Sequence, residues 1–132
     1  MIKKLFASVI RVQTLENLNI VSFDVCGQTL KMMSLDLNDS IKIGRNVSLN
    51  IKATSVAIAK DVQGQLSYSN QLNASVVLVD NGELLSNIVL SIGGEKIESI
   101  ITLESSLKMN LKVGDEVVSL IKANEISISE IL

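Results

Sequence analysis

The chain has 132 residues, 47% of them hydrophobic, yet only two Phe, one Tyr and no Trp, so its core must be aliphatic and rich in the residues that favour strands. A net charge of -2 excludes a global field for nucleic acid or an anionic membrane, and no apolar run approaches the roughly 18 residues of a membrane helix. No signal-peptide pattern opens the chain, and the lone Cys26 rules out an intramolecular disulfide, so the expectation is a soluble cytoplasmic protein.

In chain order, Lys4 to Val12 (KLFASVIRV) reads as an apolar strand, followed by a turn region around Glu16-Asn17. Ile20 to Cys26 (IVSFDVC) alternates cleanly, which places Phe23 in the core and makes Cys26 a core residue rather than a nucleophile. Gly27-Gln28 reverses the chain into Thr29 to Met33. Ser34 to Ser40 (SLDLNDS) breaks the alternation and predicts one helical turn capped by Ser34. A turn at Ile41 to Gly44 leads into Asn46 to Lys60, two closing strands hinged near Lys52 to Ser55. The polar stretch Asp61 to Asn73 begins as a linker. Beyond it the plan recurs: strand Ala74 to Asp80, turn Asn81-Gly82, strand Asn87 to Ile92, hairpin Gly93-Gly94 and strand Lys96 to Ile101. Thr102 to Asn110 is the better helix candidate, with Thr102 as N-cap and Glu104 in the first turn, and Gly114 precedes two last strands.

That recurrence is a duplication. Lys42 to Ile58 (KIGRNVSLNIKATSVAI) overlays Lys112 to Ile128 (KVGDEVVSLIKANEISI) at an offset of 70, sharing the Lys, Gly and Val of the turn and the Ile-Lys-Ala run. Upstream, Ala7-Ser8-Val9-Ile10 faces Ala74-Ser75-Val76-Val77 at an offset of 67. Three extra residues of the second copy are therefore expected between about Ile88 and Ile100, at its Gly-Gly hairpin. The fold expected is all-β with one short helix per module, arranged as tandem OB-like β-barrels: residues 1–62 form the first module and 63–132 the second, with 63–70 as linker and lead-in.

Without His, Ser-His-Asp and Cys-His catalysis and His metal ligation cannot arise within one chain, and no phosphate-binding glycine motif occurs. The chain is therefore not expected to be an enzyme. Nucleic-acid binding on an OB-type surface needs aromatic platforms, and Phe6, Phe23 and Tyr68 are too few. A small anion is the most natural ligand, since it asks for backbone N–H groups, hydroxyls, amides and a Lys rather than carboxylates. The candidate groups are Lys122-Ala123-Asn124, Lys52-Ala53-Thr54, Thr102 with Ser105, and the polar run Ser67 to Gln71. The ordinary alternative for the same residues is a Thr N-cap, surface lysines and a Ser-rich linker.

Four segments, SYSNQL (Ser67 to Leu72), ITLES (Ile101 to Ser105), LKVGDEV (Leu111 to Val117) and LIKANEI (Leu120 to Ile126), resemble in that order the segments of the molbindins, the molybdenum-binding Mop or TOBE domains. In the first module the resemblance rests on IKIGRNV and NIKATSVAI. It implies a cytoplasmic binder of molybdate or tungstate for storage, buffering or delivery, with no organic cofactor, no nucleic-acid or membrane partner and no directly ligated metal cation. It also implies a homo-oligomer, a trimer before a dimer, with oxyanions held between modules or subunits. Carried onto matching positions, it points to Ser67, Ser69, Asn70, Lys122, Ala123 and Asn124, to Thr102 and Ser105 from a partner, and to Lys52, Ala53 and Thr54 in the first module. Ser69 stands where the family has Arg, and Asn124 where it has Ser. Met1 to Lys4 replaces the Ser-x-Arg-Asn-Gln segment of the first module, and Ser34-Leu35-Asp36 replaces its Thr and Ser, with Asp36 repulsive to a dianion. Unequal sites are expected. The rival readings are an oxyanion-sensing regulatory module acting on a partner protein, and a structural module that has lost anion binding.

Overall fold

A computed structural model describes residues 4–132; Met1 to Lys3, part of the stretch that replaces the Ser-x-Arg-Asn-Gln segment, lie outside it. Strands β1 (Leu5–Leu15), β2 (Leu18–Val25) and β3 (Gln28–Ser34) form an antiparallel meander, and β4 (Asn46–Ile51) returns to lie beside β1. After the short β5 (Ala57–Ala59) the pattern repeats with β6 (Asn70–Asn81), β7 (Leu85–Ile92), β8 (Glu95–Thr102), helix α1 (Leu103–Lys108) and β9 (Glu116–Ile121), which lies beside β6. The last strand is β10 (Ile126–Ile131). Alternation drives the burial: Val21, Phe23 and Val25 on β2, and Ile88, Leu90 and Ile92 on β7, are fully buried. They join one hydrophobic cluster drawn from both halves.

The closing strands are exchanged. β10 pairs with β4 of the first half, and β5 pairs with β9 of the second, giving sheets of order β10-β4-β1-β2-β3 and β5-β9-β6-β7-β8. The repeated Ile-Lys-Ala motif is where the chain crosses. Ile51 and Ile121 end one sheet, the 3-10 turns Ala53–Ser55 and Ala123–Glu125 redirect the backbone, and buried Val56 and Ile126 start the next. Both turns close through the same local bond, Ser55 N–H to the Lys52 carbonyl and Glu125 N–H to that of Lys122, and the first adds Val56 N–H to the Ala53 carbonyl. The hinge expected at Lys52 to Ser55 is therefore present, but it sends its second strand to the opposite sheet.

The repeated Lys-x-Gly turn has a separate task. β1 and β6 each carry a bulge, between Val9 and Arg11 and between Val76 and Leu78. Gly44 and Gly114, at φ of 91° and 98°, donate their N–H groups to the carbonyls of Val9 and Val76, and those residues' N–H groups donate to Arg45 and Asp115.

The two halves are related by an approximate two-fold, and equivalent residues meet across it. Ser55 Oγ donates to Glu125 Oε2 at 3.0 Å, and these positions correspond at the offset of 70. Cys26 and Gly93 correspond at the offset of 67, and a Cβ placed on Gly93 would lie 2.7 Å from that of Cys26. Away from the axis, Gln28 exchanges two amide hydrogen bonds with the backbone of Asn73, while its counterpart Glu95 accepts one from Phe6 N–H.

Three expectations change. Cys26 is exposed, in the two-residue β2–β3 turn at φ of 50°, because the alternation ends at Val25. The Gly93-Gly94 hairpin is no longer than its Cys26-Gly27 equivalent: both join strands across two residues. The offset of 67 persists through β8, and 70 begins at β9, so the three extra residues build α1. Ser34 to Ser40, shorter by those residues, therefore forms no helix. Its Ser34 Oγ donates to the Asp36 carbonyl, and Asn38 Oδ1 accepts from Ser40 N–H and Oγ in a local turn. Helix α1 starts as expected, with Thr102 Oγ1 accepting from Ser105 N–H at 3.1 Å. No described helix is long and apolar enough to cross a membrane.

Lys60, just past exchanged β5, fastens the far end of α1. Its Nζ donates to the carbonyls of Met109 and Asn110 and to Asp115 Oδ2 at 3.0 Å. Lys60 and the Lys112 N–H hold the Asp115 carboxyl below its usual range. The stabilisation this provides is complete above the ordinary value of 3.8 and is lost as pH falls through the lower folded value. Urea midpoints measured against pH should therefore show Asp115→Asn losing less stability than the parent on acidification below about pH 4. Gly93→Ala should cost about 1–3 kcal/mol by the same method, since it adds both a disfavoured φ of 60° and a clash with Cys26. Gly94→Ala meets nothing within 4 Å and should isolate the conformational share.

Candidate functional site

The sequence-predicted residues fall into three places. Ser67 and Ser69 are exposed on the lead-in to β6, and the β6–β9 register pairs Asn70 with Ile121. Ser69 is thus next in line to Lys122, and Ala123 and Asn124 follow in the crossover turn. Within this group Asn70 is not a free donor. Its side chain is fully buried, with Oδ1 accepting from Lys31 N–H at 2.6 Å and Nδ2 donating to the Lys31 carbonyl at 2.9 Å. It ties the edge strand β3 of one sheet to β6 of the other.

Thr102 and Ser105 lie elsewhere. β7 pairs with the Asn81 end of β6, and Leu85 of β7 pairs with Thr102, so the helix start sits at the opposite end of a 12-residue strand from Asn70. At about 3.3 Å per residue that separation is several times the width of a small anion site. A single chain does not bring Thr102 and Ser105 to Lys122. The two hydroxyls are bonded to each other at 2.9 Å and are exposed.

The third place is at the crossover itself. A pocket of about 200 Å³ is lined by Asn50, Lys52, Asn124, Glu125, Ile126 and Ser127, so donors from both repeats converge around Lys52. Lys52 is exposed and forms no ion pair among the described residues. Ala53 and Thr54 continue into its turn, with Thr54 exposed. The two-fold equivalents of Asn50 and Ser127, beside Lys122, are Leu120 and Ala57, which offer no side-chain donor. Side-chain chemistry around the two lysines is therefore unequal, with the richer donor set on the first-repeat lysine, in the half where the resemblance finds fewer of the family's residues. Sequence inspection missed Asn50, Glu125 and Ser127, because their approach to Lys52 depends on the β4–β10 pairing, in which Asn50 faces Ser127.

A larger cavity, about 690 Å³, is a different feature. It runs along the seam between the Met32 to Asn38 segment, which forms no helix, and β10. In the second half Ser99 Oγ bridges that seam to the Val56 carbonyl at 2.6 Å. The groove is walled by Met32, Leu37, Ile41, Ile126 and Ile128, and its charged lining groups are the carboxylates Asp36 and Glu130. Such a surface is unsuited to an oxyanion, and none of the sequence-predicted site residues lines it.

Among the described residues no cluster of three or more His, Cys, Asp or Glu could hold a metal ion. A small anion held by neutral donors and one ammonium is the chemistry that the Lys52 pocket supports.

Comparison with known proteins agrees with this architecture. Residues 66–128 match the TOBE domain. The chain is 39% identical over 64 residues to molybdenum-pterin-binding protein 3 of Clostridium pasteurianum, covering 48% of this chain and 94% of that protein. It is 27% identical over 109 residues to the molybdenum import ATP-binding protein ModC of Brucella abortus, but spans only 29% of that protein. A crystal structure of the cytoplasmic molybdate-binding protein ModG, with molybdate bound, superposes with a TM-score of 0.86 over 95% of this chain and 93% of that one, at 22% identity. The likeness to ModG shows that the two-module OB-like fold is shared over its full extent. Together with the 94% coverage of a single-module relative, it leads to one conclusion: the chain belongs to the molbindin (Mop/TOBE) family.

Proposed function

We propose that this protein binds molybdate reversibly, without covalent chemistry, and serves in the cytoplasm to store, buffer or deliver it. The observation that carries the reading is the convergence of Lys52, Asn50, Asn124 and Ser127 in one pocket at the crossover of a Mop/TOBE fold. Support comes also from relatives named for molybdenum and from ModG, described as a cytoplasmic molybdate-binding protein. A tetrahedral dianion presents only acceptors, and an ammonium with amide and hydroxyl donors satisfies them. Tungstate has the same shape and charge and is included in the proposal.

Further sites are proposed between copies of the chain, where Thr102 and Ser105 of one would meet Ser67, Ser69 and Lys122 of another. What supports this is their separation within a single chain, along with their exposed position at the surface. A closed homo-oligomer, a trimer before a dimer, would complete such sites.

Calorimetric titration of the purified protein with molybdate, tungstate, sulfate and phosphate tests the reading. Heat is expected with the first two, and silence with all four would overturn it. Lys52→Ala should weaken molybdate binding roughly tenfold or more by removing a charge-assisted donor, and unchanged affinity would remove the pocket from the assignment. Thr102→Ala should reduce the stoichiometry without dissociating the pocket at Lys52.

A further inference from the structure

Five of the six residues lining the Lys52 pocket suit an oxyanion or are indifferent to it, and Glu125 is the exception. Its Oε2 accepts the hydroxyl of Ser55 at 3.0 Å, so a hydroxyl beside the pocket holds this carboxylate at its edge. Glu125 is also the single carboxylate of the lining, which it shares with the single ammonium, Lys52. We infer that Glu125 sets the affinity of this pocket as an internal competitor, an exposed carboxylate that a dianion must displace from Ser55 and from the field of Lys52.

Three features argue for displacement rather than permanent blockage. The Glu125 side chain is exposed, so swinging into solvent costs it little desolvation. Ser55 Oγ is a rotor whose hydrogen can follow whichever acceptor is present. The 3-10 turn that carries Glu125 is fixed through its backbone, by Glu125 N–H to the Lys122 carbonyl, and does not rely on the carboxylate. A second negative charge on the ligand is what makes the exchange favourable, because one carboxylate is traded for a dianion beside the same ammonium. The competitor therefore also raises the threshold against singly charged anions.

This inference rests on the proposed molybdate reading and is tested on the full chain with sodium molybdate as the probe. Titrations would compare the parent, Glu125→Gln, Lys52→Ala and the double variant, with Glu16→Gln as a charge control on the distant β1–β2 turn. Gln keeps an acceptor for Ser55, so the fold is not at stake. Glu125→Gln should tighten binding about three- to tenfold at low salt, with a smaller gain at high salt, and Glu16→Gln should change it less than twofold. The gain should disappear when Lys52 is also Ala. If the parent binds and Glu125→Gln binds no better, or if the gain survives Lys52→Ala, the competitor role is overturned while molybdate binding stands. If neither parent nor Glu125→Gln gives heat, both readings fall together.

Discussion

The pairing of β10 with β4 and of β5 with β9 is the constraint on which the rest of this molecule depends. Neither half of the chain supplies its own closing strand, so neither sheet is complete without the other half. A module of about 60 residues buries too little surface to be comfortably stable alone, and exchange answers this by merging two small cores into one cluster that runs from Leu5 and Phe23 to Leu90 and Ile126. The crossover also decides where chemistry can occur. It is at the Ile-Lys-Ala turns, and only there, that side chains from positions 50–55 and 124–127 are forced together.

The repeated residues were legible as a scaffold, and each turned out to have an identifiable physical task. Lys-x-Gly marks a left-handed glycine whose N–H pins the bulge of the opening strand, and Ile-Lys-Ala marks a 3-10 turn that leads into a buried residue, Val56 or Ile126. Phe23 in the core and Thr102 as an N-cap were equally readable, because both depend on local periodicity and capping. The exchange was not readable. β5 and β10 descend from one ancestral segment, so either could close either sheet as far as pattern is concerned, and the choice is made by chain geometry at the hinge. The three extra residues were misplaced for a related reason: a glycine pair marks a hairpin but says nothing of its length relative to its twin, whereas strand register does.

The candidate site was partly visible. Lys52, Thr54, Lys122 and Asn124 could be named from the motif, but the companions of Lys52 could not, since Asn50 and Ser127 face each other across strands 77 positions apart in sequence. Asn70 shows the converse limit. A polar residue in a family binding segment looks like a ligand in a string of letters, and burial with two bonds to Lys31 makes it a strut between sheets. Unequal donor sets at the two lysines follow from the same geometry, with Leu120 and Ala57 where the other side has Asn50 and Ser127.

The contacts of Ser55 with Glu125 and of Cys26 with Gly93 carry an evolutionary consequence. In an assembly of two identical chains, a residue on the dyad must tolerate its own image: a glutamate would meet a glutamate, and a cysteine a cysteine. Fusing the copies into one polypeptide lifts that rule, and a carboxylate can then face a hydroxyl, or a thiol can fit against a bare backbone. Both axial positions have used this freedom. Covalent fusion thus opened amino-acid combinations at the centre of the molecule that a self-associating single module could not have sampled.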